Sequence, residues 1–103
     1  MYPVTAGPAH YYVIAYDIVD DIRRVRVAKK LQSYGDRVQF SVFWVAVSPA
    51  KFVRLKVALT ELIDRSEDSV LLCDLGPASH SGLDQVSYLG CARPVTPSQG
   101  VIL

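Results

Sequence analysis

From Tyr11 to Ile18 the chain reads YYVIAYDI, apolar almost throughout and closed by Asp17 and Ile18. A run of aromatic and β-branched residues predicts a strand over 11–18. The near absence of polar alternation predicts a central strand covered on both faces. Asp20 or Asp21 then starts a helix, because an acid at a helix head accepts from backbone N–H groups that lack an intrahelical partner. That helix runs to about Ser33, and Gly35 stops it. Ile22, Val25, Ala28 and Leu31 recur at helical spacing and form its expected buried side, while Arg23, Arg26 and Lys30 fall on another.

Residues 37–47, RVQFSVFWVAV, are extended. They form one bent strand or two short ones, with no turn signal inside the run to choose between them. Phe40, Val42 and Trp44 alternate along one side, and Phe43, Val45 and Val47 along the other. Ser48 followed by Pro49 predicts the start of a second helix, with Phe52, Leu55, Leu59, Leu62 and Ile63 as its buried stripe. SEDS at 66–69 reads as a connecting loop, SVLLCDL at 69–75 as a strand, GPASHSGLDQ at 76–85 as a loop and QVSYLG at 85–90 as a further short strand. The proline-punctuated tail 92–103 ends in VIL.

This order predicts a single α+β domain over 1–103: a ferredoxin-like sandwich with two helices on one face of a mainly antiparallel sheet, plus an extra C-terminal strand. Residues 1–10 are an N-terminal extension. Both sides of the middle strand are apolar, so something must cover the helix-free face. A two-fold partner stacking sheet on sheet is the simplest cover, and the tail VIL could add as a strand to that partner's edge.

Composition supports the need for a partner. Half of the 103 residues are hydrophobic and the mean hydropathy is +0.22, while a chain this short buries only about 65% of its unfolded surface. No stretch reaches the roughly 18 uncharged apolar residues of a membrane span, and MYPVTAGPAH lacks the basic and apolar regions of a secretory signal. The expectation is a cytoplasmic chain, with Cys73 and Cys91 reduced. Charge is unevenly distributed. From Ile22 to Val57 nine bases face one acid, a net of +8; from Ala58 to Cys91 one base faces six acids, a net of −5. Such polarity fits a polyanion-binding face or two solvated helix faces.

Asp17 is the first candidate for chemistry. A carboxylate ending an apolar strand needs a partner: a nearby arginine, or a cation. Mg²⁺ prefers oxygen ligands, keeps several waters, and needs only one or two carboxylates plus a phosphate. Two copies of Asp17 meeting across a dimer axis could share one ion. Asp20 and Asp21 read as helix caps. The arginines could hold phosphates through charge and forked hydrogen bonds, with Ser41, Tyr16 and Phe43 adding hydrogen bonding or base contact. Other chemistry finds little support. His10 and His80 lack ligand partners at metal spacing, SHS at 79–81 matches no hydrolase elbow, and no glycine-rich phosphate loop occurs.

The stretch YYVIAYDIVDDIRRVRVAKKLQSYGDRVQFSVFWV resembles the CRISPR-associated protein 2 family, the small subunit of the spacer-acquisition machinery. The resemblance lies in Tyr16, Asp17 and Ile18, then Asp20 and Asp21, then Tyr34, Gly35, Arg37, Val38, Gln39, Ser41, Val42 and Phe43. It implies a ferredoxin-like homodimer with sheets face to face and Asp17 of both chains near the two-fold axis, able to hold Mg²⁺ or Mn²⁺. It implies metal-dependent endonuclease activity on RNA or double-stranded DNA, with Tyr16, Arg24, Arg26, Arg37, Ser41 and Phe43 as supporting positions. Arg23, Arg24, Arg26, Lys30 and Arg37 are the expected nucleic-acid contacts, and the large CRISPR integrase subunit is the expected protein partner. Some relatives in that family act as DNA-binding scaffolds without catalysis, and a neighbouring toxin-like mRNA endoribonuclease family shares the fold.

Overall fold

The structure is a computed structural model and describes residues 8–78 and 86–91. Its elements are β1 (His10–Asp17), α1 (Asp21–Gln32), β2 (Gly35–Gln39), β3 (Val42–Val47), α2 (Pro49–Leu62) and β4 (Ser69–Pro77). The four strands form one sheet in the order β2-β3-β1-β4, with every neighbouring pair antiparallel. Each helix therefore joins two strands that are not neighbours: α1 passes over β3, and α2 passes over β1. Crossovers of the same hand place both helices on one face. This is the ferredoxin-like α+β arrangement expected from the order of elements.

Local chemistry accounts for the helix boundaries. The Asp20 carboxylate accepts from the Arg23 backbone N–H at 2.9 Å and caps α1; Asp21 lies in the first turn and Lys29 and Lys30 in the last, the arrangement the helix dipole favours. Ser48 caps α2 by accepting from the Lys51 N–H at 3.2 Å, with Pro49 at the first helical position. The core lies between helices and sheet. Tyr12, Ile14 and Tyr16 of β1 and Phe43, Val45 and Val47 of β3 face Val27 and Leu31 of α1 and Phe52, Leu55 and Leu59 of α2. The Tyr12 and Phe52 rings stack with centroids 3.7 Å apart.

One open choice is resolved and two expectations change. The run 37–47 is two strands joined at Phe40 and Ser41. The α1 core face is centred on Val27, Ala28 and Leu31, whereas Ile22 is 62% exposed and Val25 40%. At 3.6 residues per turn, Ile22 lies nearly opposite that centre. Among the described residues, 86–91 form no strand. Gly90 has φ +82°, outside the extended region, Leu89 is fully exposed, and the Tyr88 hydroxyl instead donates to the Val38 carbonyl at 2.5 Å. The expected packing of the tail 92–103, the strand formed by VIL, most of the N-terminal extension and His80 lie outside the described residues.

The helix-free face carries Val13 and Ala15 of β1, Val42 and Trp44 of β3, and Leu71, Cys73 and Leu75 of β4. Leu71 and Leu75 are largely exposed. Gly35 shows how closely the hairpin edge is fitted. A Cβ there would fall against the Trp44 carbonyl oxygen and the Val45 Cα, well inside van der Waals contact. Both obstacles are main chain, so no side-chain movement relieves them. Gly35→Ala is therefore expected to lower stability by about 1–3 kcal/mol, the usual range for overpacking. Chemical denaturation measures it; an unchanged unfolding midpoint would show that β2 can shift freely on β3.

Candidate metal and nucleic-acid site

Residues in β1 alternate between the two faces of the sheet. Tyr12, Ile14 and Tyr16 are buried under the helices, so Val13, Ala15 and Asp17 share the helix-free face. Asp17 is the last residue of the strand, exposed, and paired in register with Ser69 of β4. Two arginines follow it closely in sequence, yet neither neutralises it. Arg23 donates from Nε to Asp68 at 2.7 Å and from Nη2 to Glu67 at 3.0 Å, and Arg24 pairs with Asp21 one turn away. No ion pair among the described residues uses Asp17.

The β2–β3 turn lies beside this strand end. The Tyr16 N–H donates to the Ser41 carbonyl at 3.1 Å and the Tyr16 hydroxyl to the Phe40 carbonyl at 3.3 Å. Behind the turn, the Arg37 guanidinium lies 5.3 Å from the Phe43 ring centroid and 5.9 Å from that of Phe40. Its Nε is buried and has no hydrogen-bond partner among the described residues. The structure thus brings Asp17, Tyr16, Arg37, Ser41 and Phe43 to one end of the sheet but not to one face: Arg37 pairs in register with Phe43 on the helix side, whereas Asp17 lies on the helix-free side. It also corrects two proposed contacts. Phe43 has no exposed surface and Tyr16 is buried against it, because both sit on the helix side of their strands. Neither ring can meet a base; they support the turn and the Arg37 cation from below.

The basic residues separate into two groups. Arg23 and Arg24 are held by carboxylates. Arg26 and Lys29 are exposed on α1, Lys30 is half-buried, and Lys51, Arg54 and Lys56 are exposed on α2; none of these six forms an ion pair among the described residues. The Lys51 ammonium lies over the Tyr34 ring and the Lys56 ammonium over Phe52, each 5.4 Å from the ring centroid, in cation–π geometry.

One chain does not complete a metal centre. Among the described residues there is no group of three or more His, Cys, Asp or Glu side chains placed to hold an ion, and the Asp20 carboxylate is committed to its cap. Asp17 supplies hard oxygen donors of the type Mg²⁺ or Mn²⁺ takes. Alone it falls short of a complete ligand set for such an ion.

A family model described as CRISPR associated protein Cas2 matches residues 10–81. The chain belongs to the Cas2 family. A Rhodospirillum rubrum protein named CRISPR-associated endoribonuclease Cas2 1 is 40% identical over 94 residues, spanning 91% of each chain. A second protein from that organism, CRISPR-associated endoribonuclease Cas2 4, is 54% identical over 63 residues, 61% of this chain and about half (51%) of its own length. The crystal structure of Streptococcus pyogenes Cas2 at pH 6.5 superposes with a TM-score of 0.63 at 35% identity, covering 78% of this chain and 99% of that one. Among the described residues no helix is long and apolar enough to cross a membrane.

Two features of this Cas2 chain were not visible in its sequence. His10 and Asp74 bond at 2.9 Å between β1 and β4, and the Asp74 carboxyl is held below its usual range chiefly by His10. Asp68, read as part of a loop, has a side chain with no exposed surface. The Arg23 guanidinium first, and then the N–H groups of Asp64 and Val19, hold its pKa down at about 2. Local spacing gives no signal of this contact, since Arg23 and Asp68 are 45 positions apart. Because the folded pKa lies below the ordinary aspartate value of about 4, Asp68 stabilises the fold fully above that pH and loses its contribution as pH falls toward 2. Thermal melts of wild type and Asp68→Asn should differ most above about pH 4 and converge toward pH 2. A constant difference across that window would show that the charge of Asp68 does not matter.

Proposed function

We propose that this chain is the small subunit of CRISPR adaptation, paired with a second copy and with the larger integrase subunit, and that it hydrolyses phosphodiester bonds in RNA or duplex DNA with the help of Mg²⁺ or Mn²⁺. The observation that carries the reading is the placement of Asp17: a carboxylate at a strand end, on the helix-free face, outside every ion pair among the described residues although two arginines lie within reach in sequence. Family membership and the endoribonuclease names of its relatives support the same reading.

Each residue group has a distinct task. Asp17 binds the ion, and a second Asp17 across the two-fold axis completes the carboxylate pair. An ion held by these carboxylates would supply positive charge to offset the phosphate and to lower the pKa of water. Arg37, braced by Phe40 and Phe43, presents a fixed fork of donors suited to a phosphate. Arg26, Lys29 and Lys30 on α1 and Lys51, Arg54 and Lys56 on α2 supply charge that attracts the nucleic-acid backbone without reading sequence. Arg23 is already paired with the buried Asp68, so its role is to fix the loop and helix that follow Asp17, whereas Arg24 pairs only with the exposed Asp21 within its own helix turn.

Asp17→Asn keeps the size of the side chain and removes its charge. Cleavage of RNA and duplex DNA in Mg²⁺ or Mn²⁺ should fall at least 100-fold, while light scattering shows the dimer intact. Equal cleavage by the variant would overturn the metal assignment. A purified wild type that binds duplex DNA but never cuts either substrate would identify the chain as a binding scaffold.

A further inference from the structure

Asp68 lies in the turn before β4 and outside the site described so far. Burying a carboxylate is costly unless its oxygens are fully hydrogen-bonded, and here four donors converge on them. They are the N–H of Val19 at 3.1 Å, the N–H of Asp64 at 2.8 Å, Arg23 Nε at 2.7 Å and Arg23 Nη2 at 3.2 Å. The donors are unevenly placed. Only Asp64 belongs to the same end of the chain. Val19 and Arg23 flank Asp20, and Val19 is two residues past Asp17.

The next residue, Ser69, pairs with Asp17 in the β1–β4 ladder. The dipeptide 68–69 therefore grips the chain twice, at Asp17 through the sheet and at Val19 through the Asp68 carboxylate. Arg23 closes the loop from the other side, since its N–H is held by Asp20 and its guanidinium by Asp68 and Glu67. The three residues after β1 have little freedom left. An asparagine could not substitute fully. It offers one acceptor oxygen for four donors and would turn N–H groups toward a guanidinium.

We propose that Asp68 is a positioning residue for Asp17, setting the direction from which that carboxylate approaches a shared divalent ion. The proposal rests on the metal reading of Asp17. A half-site needs this more than a self-contained centre does. Its two ligands come from different chains, so an error of about 0.5 Å in each is not absorbed by other ligands of the same chain. Groups hydrogen-bonded directly to a metal ligand typically change affinity by about 10–100-fold when removed; Asp68 acts one step further out, through Val19 and Ser69, so the lower end of that range is expected.

The test is Mn²⁺ binding to the full chain without nucleic acid, followed by electron paramagnetic resonance well below the melting temperature, together with amide hydrogen exchange. Asp68→Ala and Asp68→Asn are compared with wild type, and Arg23→Gln, which removes two of the four donors, serves as the gentler variant. The expected result is Mn²⁺ affinity at least tenfold weaker in the Asp68 variants, a smaller loss in Arg23→Gln, and faster exchange of the Val19 amide with the Ile14 amide unchanged. Variants that melt earlier yet bind Mn²⁺ as tightly as wild type would overturn the proposal, leaving Asp68 a purely structural residue. A wild type that binds no Mn²⁺ would overturn the metal reading itself and the proposal with it. That outcome is separate, because it is read before any variant is made.

Discussion

The two-residue period of β1 is the constraint on which the rest of the structure depends. Tyr12, Ile14 and Tyr16 bind the strand to the helices, and that commitment leaves Asp17 no choice of face. Shifting the register by one residue would bury the carboxylate under α1 and expose three large core side chains. The position of the candidate ligand is therefore secured by the same apolar contacts that hold the fold together. The helix-free face on which it lies also carries Leu71 and Leu75, and covering that face with a second chain would bring apolar surface and carboxylates together in one event.

Charge is organised around that position by pairing. The arginines nearest Asp17 in sequence are drawn away from it, Arg23 by Asp68 and Glu67 and Arg24 by Asp21. The remaining cations on α1 and α2 project from the helices. The net +8 of the segment 22–57 is thus part scaffold and part surface, and only the surface part is available to a polyanion. Arg37 belongs to neither group. Its guanidinium rests on two aromatic rings, a setting in which a planar fork keeps its orientation without an acid beside it.

Much of this was legible in the sequence because it is encoded locally. The caps Asp20 and Ser48, the proline after Ser48 and the apolar run before Asp17 each act within a few residues, and the helices and strands begin where these signals stand. The β2–β3 turn was not legible, since Phe40 and Ser41 carry none of the glycine or asparagine preference of tight hairpins. The exposure of Ile22 and Val25 was hidden because helical spacing alone does not fix which stripe faces a sheet. The Phe43 and Tyr16 rings could be placed on strands from sequence, but not on a face. Asp68 was missed because three of its four donors lie on a segment more than forty positions away, brought near only when β4 pairs with β1.

The central claim is that two chains share one ion through two copies of Asp17. Counting Mn²⁺ ions per chain by equilibrium titration tests it most directly. A shared site predicts one bound ion for every two chains, lost in Asp17→Asn. One ion per chain, or a stoichiometry unaffected by that substitution, would contradict it.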